Sequence, residues 1–241
     1  MTKTKNTDLQ DAMWNRKKSA LSLARANARL ARVEERYSDL HSGMLSAYHT
    51  ILTGKVNRLA KVYYGLLAYW HASRLIEHEK ELNHNQLDIL VSFLMGVRTK
   101  LPARLKSLWQ KYFMSDDRLE RLAYKGYFLA SESKVAAPHQ VALANLTYAY
   151  VLSLLQTNYD KILFFVDRAL SFENLIKKET NIKYALRQLV RILRNAGKLY
   201  YIAGEKETGL TCLNRALALA KGEADTSDQV AKIQSVLYSL K

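Results

Sequence analysis

The chain is expected to fold as an all-α protein: a right-handed array of antiparallel helical hairpins behind an N-terminal helical region. Three observations lead there. Apolar residues recur at three- and four-residue spacing along almost the whole length, which is the period of an amphipathic helix and not of a strand. Only two prolines and nine glycines punctuate 241 residues, too few for the turns of a β-sandwich or for a glycine-rich nucleotide-binding fold. Hydrophobic residues make up 49% of the chain, enough to bury a substantial core.

Taken in order, Thr7 or Asp8 can cap a long first helix, whose later part sets Leu30, Val33, Tyr37, Leu40 and Met44 in one continuous stripe. Gly43 and Gly54 are plausible punctuation. From Val56 to Leu82 a broad apolar face carries Leu59, Val62, Tyr63, Leu66, Leu67 and Trp70, and Glu77 to Glu81 mark its wetter end. A helix over about Asn85 to Val97 follows. Pro102 then suits the first turn of a helix running to Met114, where its missing N–H costs nothing. Ser115-Asp116-Asp117 starts the next, to Ser133, and Pro138 opens another. Breaks at Thr157-Asn158, Glu179-Thr180, Gly204-Glu205 and Gly222 to Ser227 divide the remainder, for roughly ten or eleven helices in all. The domains expected are 1–114, basic and helical, and 115–241, built of repeats, unless the two are one continuous domain.

Targeting and membrane segments are not expected. The first ten residues lack an apolar core, which argues against a secretory signal. The arginine-rich stretch from Asp11 to Val33 has the look of a transit peptide, but Asp8, Asp11, Glu34 and Glu35 bracket it with acid. Polar residues interrupt the uncharged run from Val135 to Tyr159 too often for a bilayer span, so it reads as a buried helix. The single cysteine, Cys212, excludes a disulfide framework and a thiolate-rich zinc site; the expected location is the cytoplasm.

An internal repeat is visible. Leu163 to Leu170 can be laid on Leu210 to Leu217 at an offset of 47 residues, and that register puts Leu146 on Leu193, Ala149 on Ala196 and Leu152 on Leu199. The second copy reads Leu193-x-x-Ala196-Gly197-x-x-Tyr200, then Gly209, Leu213 and Ala216-Leu217, and resembles the tetratricopeptide (TPR) repeat. The first copy departs from that pattern, with Ser153 in place of the aromatic residue and Ile162 in place of the small one. The offset also exceeds the usual repeat of about 34 residues. Ser227 to Leu240 resembles a capping helix. The resemblance implies an α-solenoid whose first helices line a partner-binding inner surface.

Charge decides which partners to expect. Lys and Arg number 37 against 22 Asp and Glu, a net +15, which favours acidic protein surfaces, anionic membranes or nucleic acid. Arg187, Arg191, Arg194 and Lys198 follow four, three, four spacing along one side of one helix. Like charges so placed repel, and a bound polyanion explains the arrangement. In TPR proteins basic residues on this helix commonly hold carboxylates of an extended peptide. With Tyr201 beside them, these four are the expected binding site for an acidic protein or peptide; the alternative is a solvated helix face.

Two further basic segments suit an RNA partner instead. Arg16, Lys17 and Lys18 precede Arg25, Arg29, Arg32 and Arg36, with Trp14 and Tyr37 available for stacking; Arg98, Lys100, Arg104, Lys106 and Lys111 enclose Trp109 and Tyr112. An RNA-binding helical subunit of a ribonucleoprotein complex is therefore the second reading. No enzyme is expected. His78-Glu79-Lys80-Glu81-Leu82 has leucine where a zinc protease needs its second histidine, and His71, His78 and His84 are too irregularly spaced for a ligand set. Neither a phosphate-cradling glycine loop nor a nucleophile elbow is present, and no metal or cofactor is expected. Most tyrosines are expected at core or core edge, including Tyr63, Tyr64, Tyr69, Tyr148, Tyr150, Tyr200 and Tyr201.

Overall fold

Helix is the only regular structure in the computed structural model, which describes residues 19, 21–27, 36–52, 57–222 and 227–239. Residues 21–27 are helical. They are followed by α1 (Tyr37–Leu52), α2 (Arg58–Glu77), α3 (His84–Lys100), α4 (Ala103–Tyr112), α5 (Asp116–Glu132), α6 (Pro138–Leu154), α7 (Tyr159–Ser171), the single turn α8 (Glu173–Ile176), α9 (Ile182–Ile202), α10 (Lys206–Lys221) and α11 (Ser227–Ser239). The chain divides into two compact units, Met1–Pro102 and Ala103–Lys241, and α4 falls in the second.

Local chemistry starts these helices where the sequence does. The Asn57, Asn83, Ser115, Asn158 and Asn181 side chains each accept a hydrogen bond from a backbone N–H of the first turn of α2, α3, α5, α7 and α9, satisfying donors that have no partner within the helix. At α3 the cap is reciprocal. The Asn83 Oδ1 accepts from the Gln86 N–H at 3.0 Å, and the Gln86 Oε1 accepts from the Asn83 N–H at 2.9 Å. Pro138 stands in the first turn of α6, as expected.

In the first unit α1 packs on α2 and on α3. Leu40, Met44, Leu45 and Tyr48 of α1 and Leu87, Leu90 and Leu94 of α3 are buried in its core, and the Gln86 Nε2 ties α3 to the Asp39 Oδ1 of α1 at 2.7 Å. Two readings are corrected here. The stripe from Leu30 to Met44 is not one helix, because Arg36 is non-helical and Tyr37 is exposed; Leu30 and Val33 lie outside the described residues. Gly43 punctuates nothing, being inside α1, while Gly54 lies outside the described residues.

Helix α2 is the larger surprise. It ends at Glu77, and the face it buries is its small one: Ala68, His71, Ala72 and Leu75. Leu59 is 83% exposed and Leu66 66%, with Val62, Tyr63, Tyr69 and Trp70 also exposed. Tyr63 and Tyr69, expected at the core or its edge, are instead exposed. Alanines let α2 approach α1 closely, and a helix apolar all round must leave one of its faces outside that contact. Within the contact, the His41 Nδ1 and His71 Nδ1 lie 2.9 Å apart, so one ring donates and the other accepts. That bond needs an unprotonated Nδ1 on the accepting ring, so the two rings are never both protonated. Burial first, then His41, lowers the His71 pKa to about 4.

In the second unit α6 packs on α5 and α7, α9 on α6, α7 and α10, and α10 on α11. The repeat register survives as burial. Leu146, Ala149 and Leu152 are buried in α6 and their counterparts Leu193, Ala196 and Leu199 in α9; Ala169 and Ala216 match in α7 and α10. The helix pair α9 and α10 closes more tightly than α6 and α7 can. A Cβ on Gly197 would stand 2.7 Å from the Gly209 carbonyl and 2.8 Å from the Leu213 Cγ, so the two backbones touch there. The earlier pair carries Tyr150 and Ile162 at those register positions. Gly204, at φ +98°, makes the turn between α9 and α10 in the left-handed region. The Tyr200 hydroxyl donates to Asp167 of α7, and the Arg215 Nη2 reaches Glu173 of α8 at 2.7 Å. Helix α8 was not anticipated.

Two outcomes are expected. Gly197→Ala or Gly209→Ala should each cost about 1–3 kcal/mol by overpacking, whereas Gly65→Ala, where a Cβ meets nothing within 4 Å, should gain about 0.5–1 kcal/mol of helix propensity; urea melts monitored by circular dichroism read both. His71 binds its proton more weakly folded than unfolded, so stability should fall as pH drops from 6.5 towards about 4 and level off below. His71→Gln should make that slope shallower.

Candidate functional site

The expected row of cations lies on α9, which Asn181 starts and which the Gly197 contact holds against α10. Arg187, Arg191, Arg194 and Lys198 are all half-buried, and their surroundings differ. The Arg187 Nη2 stands 3.5 Å from the Asp228 Oδ1 on α11. The Lys198 Nζ donates to the Tyr150 hydroxyl of α6 at 3.0 Å; its 5.0 Å from the ring centroid reflects that edge contact and not a position over the ring face. The row thus reaches α11 at one end and α6 at the other.

Arg194 is the centre of this arrangement. Its Nη1 donates to the Gln229 Oε1 of α11 at 3.0 Å, and its Nε and Nη2 donate to the neighbouring Asn195 Oδ1 at 3.3 and 3.1 Å. Among the described residues its guanidinium bonds only neutral oxygens. Burial first, then the Arg191 charge, pushes it below the ordinary arginine range, and Asp228 opposes them. Asp228 is itself engaged by Arg187 and by Lys232 at 3.3 Å. A partly desolvated cation without a carboxylate of its own, beside a second cation, is an electrostatic vacancy for an anion.

Tyr201 follows the row three residues after Lys198 and also meets α10. Its backbone meets Gly209, and the Lys206 ammonium of α10 lies 5.7 Å from its ring centroid. It therefore stands at the contact between α9 and α10. Among the N-terminal candidates Arg25 is exposed on the helical segment 21–27, while Arg16, Lys17, Lys18, Arg29 and Arg32 lie outside the described residues, as does Trp14. Arg36 is exposed and pairs with Asp39 at 3.4 Å. The basic segment around Trp109 is divided: Arg98 and Lys100 end α3 in the first unit, and Arg104 and Lys106 are exposed on α4 in the second.

Sequence reasoning missed the residues that hold the row: Tyr150, Asn195, Asp228 and Gln229. Asp228 and Gln229 in the first turn of a capping helix were the available signal. Cys212 is buried, and burial raises its thiol pKa, as suits a small core residue. No group of three His, Cys, Asp or Glu side chains among the described residues could hold a metal ion, and no helix among them is long and apolar enough to cross a membrane. No protein-family model matches the chain, and no curated protein is significantly similar to it.

Arg191 is the member of the row whose removal isolates the repulsion. Arg191→Gln is expected to stabilise the free protein by about 0.2–0.5 kcal/mol for each like-charged pair it removes, read as a raised unfolding midpoint at low salt. The gain should shrink as salt is added.

Proposed function

We propose that this chain is a non-enzymatic adaptor, a TPR-like right-handed helical array that binds an acidic protein or peptide segment along α9, with Arg191 and Arg194 as its principal contacts. The surroundings of Arg194 carry this reading: a guanidinium drawn out of water, bonded to neutral oxygens and pressed by Arg191, is held ready at a cost that an incoming carboxylate would offset. The matched burial of Leu146 with Leu193 and Ala149 with Ala196 supports a repeat array, in which α6, α9 and α11 would be successive first helices. Arg187 and Lys198 frame the site, since Asp228 and Tyr150 already occupy part of their bonding capacity.

The choice of peptide over nucleic acid rests on the same geometry. One short row of cations on a helix flanked by packed neighbours suits a few carboxylates in an extended chain, whereas RNA calls for a wider surface with aromatic faces for its bases. Fluorescence anisotropy with a labelled polyglutamate peptide and with a labelled single-stranded RNA tests this. Saturable peptide binding that Arg191→Glu or Arg194→Gln weakens by about tenfold or more is expected. RNA binding that outlasts both substitutions, with no peptide binding, would contradict it.

A further inference from the structure

We propose that α4 is a surface helix that seats on an anionic lipid membrane, a second interaction surface independent of the α9 site. The observations concern one short element. No described side chain of α4 is buried, and Leu105 and Leu108 are 47% and 53% exposed. The helix takes little part in the helix–helix packing of its unit and is tied to it by Gln110, whose Nε2 donates to both Asp116 carboxylate oxygens at 3.1 and 3.0 Å.

Helical geometry arranges the rest. With 3.6 residues per turn, Leu105, Leu108 and Trp109 fall on one side of α4, and Gln110 falls on another. Arg104 and Lys111 flank the apolar side on one edge and Lys106 on the other, and no acidic residue stands in the helix. Aliphatic side chains in the middle with cations along both margins suit the boundary of headgroups and acyl chains: the leucines enter the apolar layer, Trp109 lies at the interface, and the long basic side chains reach the anionic headgroups. That order disfavours RNA, which needs cations or aromatic faces where this helix presents Leu105 and Leu108. Charge complementarity makes the lipid anionic.

Sedimentation of the full chain with vesicles of phosphatidylcholine, with or without phosphatidylserine, tests the proposal. Binding is expected to the phosphatidylserine vesicles and to weaken steeply with added salt. Leu105→Gln/Leu108→Gln changes no charge and replaces no buried side chain, so it should leave the circular dichroism spectrum intact and lower partitioning by about tenfold or more. The blue shift of tryptophan emission on vesicle binding should be lost in Trp109→Phe. Absence of binding to phosphatidylserine vesicles overturns the proposal, as does binding that the double leucine substitution leaves unchanged, which would assign attachment to charge alone. Retention on single-stranded RNA but not on vesicles overturns it in favour of a nucleic-acid surface.

Discussion

The second unit depends on the backbone contact between Gly197 and Gly209. There α9 and α10 touch at the main chain, and an added methyl group on either glycine would collide with a carbonyl oxygen. That contact fixes the rotation of α9 about its own axis. Once Gly197 faces α10, Leu189, Leu193 and Ala196 are committed to the core, and the positions taken by Arg187, Arg191, Arg194 and Lys198 are left along the seam towards α6 and α11. The small residues of one face thereby set the address of the cations on another.

Those cations carry a cost in the free protein as well as contacts to α6 and α11. A helix with four positive charges at three- and four-residue intervals is weakened by their repulsion, and Arg194 adds the cost of partial burial without a counter-ion of its own. Asp228 offsets part of this through Arg187 but is shared with Lys232, and Glu173 is bound to Lys177 and Arg215.

How much of this the sequence disclosed varies with the physics involved. Periodicity, caps and prolines are local, and they placed α3, α5, α6 and α9 within a few residues. The repeat register was legible as well, because burying Leu193, Ala196 and Leu199 in one turn-spaced set requires the spacing that Leu146, Ala149 and Leu152 repeat. Helix α2 misled because it is apolar all round: periodicity marks a wide apolar face, and only packing decides that Ala68 and Ala72 turn inward while Leu59 and Leu66 turn out. The row of cations was legible as spacing on one helix. The groups that distinguish its members, Asp228, Gln229 and Tyr150, come from helices remote in sequence, and no local pattern links them to Arg194. Tyr201 continues the spacing of the row three residues after Lys198, and its ring lies 5.7 Å from the Lys206 ammonium of α10.

Hydrogen–deuterium exchange of the full chain, compared with and without polyglutamate peptide, tests the central claim most directly. Slower exchange confined to residues 182–202 and the facing first turn of α11 is the predicted result. Unchanged exchange across α9 at saturating peptide, or slowing confined to other helices, would contradict it.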